Sequence, residues 1–228
     1  MERRKLSRLE LLRLELDYFF ASFTKKEIFD IFIAWLALTF AFSFLFDRNI
    51  LSYNFIEYFI ISAISVGLGF IIHELMHKFK AISYDYPAHF VAWYQGLILT
   101  VFTAFILRII FALPGATVFT PRSRWFLDKD FIEKYGKISL YGPLSNIVFG
   151  FIFILLLFFV YPLIKSSFLL KLSLEGAFIN FYLSAFNLIP LGGVIGLDGW
   201  KVFRWNKAAW ALTFFLSAGM TILIYIGF

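Results

Sequence analysis

The sequence has no cysteine and little charge: 16% of its 228 residues are Asp, Glu, Lys or Arg, while 61% are apolar. Without cysteine there are no disulfides, thiolate metal sites or cysteine nucleophiles, and the redox compartment leaves no trace. The shortage of charge excludes a soluble enzyme, a disordered chain and a collagen-like one, because soluble domains carry about a quarter charged residues. The mean hydropathy of +0.82 reflects an apolar excess too large for one soluble core of this size. It falls in long runs separated by basic stretches, the pattern of a helical membrane bundle. The net charge of +6 comes from residues beside those runs, where they face lipid headgroups. The expected partner is therefore the lipid bilayer and not nucleic acid.

Residues 1–27 carry Arg3, Arg4, Lys5, Arg8, Arg13, Lys25 and Lys26, with Leu6, Leu9, Leu12, Leu16, Phe19, Phe20 and Phe23 at helical spacing, which predicts a cytosolic amphipathic segment at the membrane interface. Thr24 and Glu27 have capping-box spacing just before the first apolar run, 28–46. Further runs cover about 55–79, 91–113, 138–164, 172–190 and 208–227. The third closes in Leu113-Pro114-Gly115 and a short β-prone piece, Ala116 to Thr120. A charged stretch, 121–137, precedes the fourth run, and a Gly-rich break from Leu191 to Gly199 precedes the basic Lys201, Arg204 and Lys207. No internal repeat is visible, so residues 28–228 read as one multi-pass membrane domain.

Positive charge sets the topology. With the N-terminus in the cytosol, the first span leaves and the second returns. If 91–113 dips in and comes back, both the basic residues of 121–137 and the group Lys201, Arg204 and Lys207 stay cytosolic; a full crossing would reverse both. The expected fold is an all-α integral membrane bundle of five to six transmembrane helices with a re-entrant or short β segment near 91–120.

Two of the three histidines form His73-Glu74-Leu75-Met76-His77. On a helix, positions i and i+4 share a face, so both imidazoles can converge on one cation while Glu74 reaches the water beside it. Ionisable groups in hydrocarbon cost roughly 2.5–3.5 kcal/mol each, which argues against a packing role alone. Catalytic zinc usually takes three protein ligands and leaves a position for water. Candidates for the third are His89, Glu57, Glu133, Glu175 and Asp198. The topology above returns the run 172–190 to the cytosolic side and delivers Asp198 to the depth of His73 and His77, next to a glycine that eases a short carboxylate toward a metal.

Three motifs now stand in order: His73-Glu74-Leu75-Met76-His77, Gly142-Pro143-Leu144-Ser145-Asn146, and Asn187-Leu188-Ile189-Pro190 followed by Leu197-Asp198-Gly199. Together they resemble the site-2 proteases, zinc intramembrane metalloproteases, over roughly residues 55–205. The resemblance implies that His73, His77 and Asp198 hold Zn2+ and that Glu74 is the general base. It also implies that Asn146 and Asn187 position substrate or its developing oxyanion, and that residues 115–120 form an edge strand for a transmembrane protein or peptide substrate. One rival is a membrane zinc protease of the CaaX or heat-shock group, with Glu133 as third ligand. Another is a metal transporter or non-catalytic scaffold, although no duplicated half is present.

Overall fold

A computed structural model describes residues 8–120, 129–192 and 196–227. Arg3, Arg4, Lys5, Arg122, Arg124 and Asp128 lie outside the described residues, as do Gly193, Val194 and Ile195 of the Gly-rich break. After α1 (Arg8–Ala21), α2 (Lys25–Phe46) starts where the capping signal places it, with Thr24 Oγ1 accepting the Glu27 N–H at 3.1 Å. The Glu27 carboxylate does not complete the box. It is buried instead and takes the Lys78 ammonium at 2.7 and 2.8 Å, because an ammonium in this interior needs a counter-charge.

Ser52 caps α3 (Tyr53–Val66), which runs through a π-helical turn (Gly67–Ile71) into α4 (Ile72–Ile82). The chain then forms β1 (Ala88–Ala92), α5 (Tyr94–Leu107) and β2 (Gly115–Phe119). The two strands pair antiparallel, with Phe90 opposite Thr117 and Ala92 opposite Gly115. The Trp93 N–H donates to the Pro114 carbonyl at 3.0 Å, so residues 93–114 end where they begin. With 14 residues, α5 is about 21 Å long, short of a hydrocarbon core of about 30 Å. The stretch thus returns to its own start, and its helix is shorter than that core. Gly115 sits at a φ of +127° with the Val91 carbonyl 2.1 Å from where a β-carbon would be, so only glycine serves at this turn. The piece expected near 116–120 is β2; its partner β1 was not evident in the sequence.

The outer edge of β1 is closed by α2. Glu27 accepts the Phe90 N–H at 3.0 Å, and Asp30 accepts the Ala92 N–H at 3.3 Å and the Tyr94 hydroxyl at 2.7 Å.

The long helix Lys129–Ile164 comprises α6 (Lys129–Leu155), a second π-helical turn and α7 (Tyr161–Ile164). It is followed by α8 (Ser167–Asn187), α9 (Gly199–Trp205) and α10 (Lys207–Gly227). Among the described residues four helices are long and apolar enough to cross a membrane: Lys25–Phe46, Tyr53–Ile82, Lys129–Ile164 and Lys207–Gly227. The fifth expected span corresponds to α8, which matches α10 at 21 residues but carries Lys171, Glu175 and Asn180. It packs against α3, α6 and α10, and Lys171 donates to Glu57 of α3 at 2.6 Å. The result is a multi-pass, mainly helical membrane protein.

Candidate metal centre

Helix α4 sets His73 and His77 one turn apart, and their Nε2 atoms face each other at 2.9 Å. The other ring nitrogens are both engaged. His73 Nδ1 lies 2.6 Å from Asn146 Oδ1, and His77 Nδ1 lies 2.8 Å from the Ile138 carbonyl oxygen. The Asn146 amide nitrogen donates to the Gly69 carbonyl at 3.0 Å, with Asn180 Oδ1 at 3.4 Å, so its oxygen must be the atom turned to His73. Each Nδ1 therefore carries the proton, and two Nε2 lone pairs point at one another. Such a pair repels unless a cation lies between.

Asp198 completes the triangle, with Oδ2 2.9 Å from His77 Nε2 and 3.4 Å from His73 Nε2. Tetrahedral ligands about 2.0–2.1 Å from zinc stand roughly 3.3–3.4 Å from one another, so the three atoms need only a slight expansion to take the ion. All three residues are buried, and among the described residues they are the only group of three or more His, Cys, Asp or Glu that could hold a metal ion. Each imidazole is tied to a carbonyl oxygen through Nδ1, which fixes its tautomer and orientation.

The break between α8 and α9 delivers Asp198. Its N–H donates to the Asn187 carbonyl at 3.0 Å, and its Oδ1 accepts Lys201 Nζ at 3.1 Å. Burial alone would push the Asp198 carboxyl up, but the charged groups beside it, Lys201 among them, hold it well below the usual carboxylate range. Burial pulls Lys201 down, and the charge of Asp198 more than offsets it, leaving Lys201 above its ordinary value.

Glu74 is 6% exposed and turns toward β2. Thr117 donates to its Oε2 twice, from the backbone N–H at 3.0 Å and from Oγ1 at 2.7 Å. A cavity of about 20 Å³, lined by His73, Glu74, Asn146 and Asn187 among others, is large enough for a water molecule, which needs roughly 10–15 Å³. The Asn187 side chain borders this cavity and donates to the Leu183 carbonyl at 3.2 Å. A wider groove of about 370 Å³ runs along Val91, Trp93, Ala116, Val118 and Gly196.

The other candidates for a third ligand stand elsewhere. Glu133 accepts Lys137 on the exposed first turns of α6, Glu57 pairs with Lys171, Glu175 is on α8, and His89 is exposed on β1. Thr117, Lys201 and Asn180 escaped the sequence reading as site residues. Only Lys201 left a signal, its place three positions after Asp198.

A buried His-His-Asp triangle with an adjoining glutamate, inside apolar helices, defines a membrane metalloenzyme of the metalloprotease class. No family model matches the chain, and no solved structure does. A Methanocaldococcus jannaschii protein named "Putative zinc metalloprotease MJ0611" is 40% identical over 193 residues, which cover 83% of this chain and 90% of that one. The chain belongs to the zinc metalloprotease family of this protein.

Proposed function

We propose that the chain is an intramembrane zinc endopeptidase of the site-2 type, which cleaves a transmembrane-helix substrate near the cytosolic side of the bilayer. The observation that carries this reading is the buried triangle of His73 and His77, on an apolar helix, with Asp198 from the break before α9, and Glu74 beside it. In this assignment His73, His77 and Asp198 hold Zn2+, as the family's name supports. When bound, the metal supplies a Lewis acid that makes water more acidic and polarises a carbonyl.

The protein's own groups supply the rest. Glu74 takes the proton from the attacking water and hands it to the leaving amine. Asn146 acts through His73, since its amide hydrogens face Gly69 and Asn180 and leave it no donor for substrate. Asn187, on the cavity wall, contacts the substrate backbone. A helical substrate hides its carbonyls in its own hydrogen bonds and must be opened before attack. The outer edge of β2 is suited to hold it extended by strand addition. Helix-weakening residues such as glycine in the substrate then favour cleavage. The basic flanks favour a cytosolic N-terminus and a cytosolic start of α6.

The test is zinc content together with cleavage of a membrane-spanning peptide by the reconstituted full chain. Glu74→Gln keeps the metal and loses cleavage, and Asp198→Ala loses both. Wild-type activity in either variant sinks the assignment.

A further inference from the structure

A buried carboxylate needs donors, and among the described residues both donors to the Glu74 carboxylate come from Thr117. Both land on Oε2, and Oε1 receives none among those residues. The hydroxyl lies 2.7 Å from the carboxylate oxygen and 3.3 Å from the Glu74 backbone carbonyl, so its single hydrogen belongs to the shorter, charge-assisted contact. The register accounts for the backbone donor. Thr117 is opposite Phe90, whose N–H points away from β2 to Glu27. In an antiparallel pair of that type both N–H groups point outward, so the Thr117 N–H is presented on the outer edge of β2. The β-carbon of Thr117 then brings its hydroxyl to the same oxygen, which an alanine or valine there could not do.

From this geometry we infer that Thr117 is the positioning residue for Glu74: its hydroxyl, with its N–H, clamps one carboxylate oxygen and leaves the other free to take and deliver the proton. The inference rests on Glu74 acting as the base. It ties that base to the strand whose outer edge adjoins the metal centre, so the base is held by β2. Thr117 touches neither metal ligand nor reacting atom, so its loss affects turnover through Glu74 and leaves zinc binding alone.

The test uses the full chain reconstituted with zinc in phosphatidylcholine vesicles, as wild type, Thr117→Val and Thr117→Ser. Valine keeps the strand and the shape without the hydroxyl, and serine restores the donor. Two readouts are combined: kcat and KM on a membrane-spanning test peptide, and the infrared carboxylate band of Glu74, identified by difference from Glu74→Gln. Thr117→Val is expected to lower kcat about tenfold or more, the loss of one charge-assisted hydrogen bond, with KM and zinc content unchanged and the Glu74 band shifted. Thr117→Ser is expected to restore both readouts. A Glu74 band unmoved by valine, or a serine variant that behaves like valine, overturns the inference whatever the cleavage result. Absence of cleavage by the wild type, with the band shift and its rescue intact, overturns the proposed function and upholds the clamp.

Discussion

Gly142 brings the backbone of α6 against His77 so closely that a β-carbon there would lie 2.5 Å from His77 Nε2 and 2.6 Å from His73 Nε2. The space in front of the imidazole pair is kept clear by a missing side chain. Gly142→Ala is therefore expected to displace the imidazoles and remove zinc, at an overpacking cost of about 1–3 kcal/mol. Metal analysis beside far-ultraviolet circular dichroism checks it: zinc falls at least tenfold while helix content holds. An alanine variant with full zinc content contradicts the close approach.

Asn146 holds His73 from behind, and removal of such an outer partner typically costs 10–100-fold in metal affinity. Asn146→Ala is expected to weaken zinc binding by about that factor in competition with a chelator. Asn146→Asp keeps an acceptor for His73 Nδ1 and should retain more affinity than alanine. Equal losses in the two variants would mean that the Gly69 and Asn180 contacts, and not the bond to His73, are what matter.

Glu27 and Lys78 form a buried ion pair 51 residues apart in sequence, joined by the Ser22 carbonyl and the face of Phe23. Removing one member strands the other charge, at about 3–5 kcal/mol. Thermal unfolding in detergent should show Lys78→Met and Glu27→Gln each strongly destabilised, and the double variant less so than the sum. Additive losses would show that the two side chains do not interact.

Because Ala92 is paired with Gly115, we expect the turn at Asp85 and the start of α6 at Lys129 on one side of the bilayer. Accessibility reporters at these two positions are expected to be labelled from the same side. Labelling from opposite sides would require 93–114 to cross and would separate Asp198 from the histidines.

What could be read in the sequence depends on how local each signal is. His73 and His77 are one helical turn apart, so their convergence follows from periodicity, and Thr24 caps within three residues. Asp198 is more than a hundred positions away and is reachable through topology and the resemblance of its Leu-Asp-Gly motif, not through local spacing. β1 escaped because Ala88-His89-Phe90-Val91-Ala92 is short and partly covered on its outer edge by carboxylates from α2, a long-range arrangement. For the same reason Glu27 reads as half of a capping box when its partner is Lys78. The contact of Thr117 with Glu74 depends on strand register, and the approach of Gly142 depends on how two helices cross. Neither is written in local spacing.

The covering of β1 by Glu27 and Asp30 bears on solubility in the plane of the membrane as much as on chemistry. A two-stranded ribbon with both borders bare would let neighbouring copies add on either flank and grow a ladder without end. Here one border is sealed by acidic side chains and the other is partly claimed by Glu74, so the ribbon has no pair of open flanks from which such a stack could propagate.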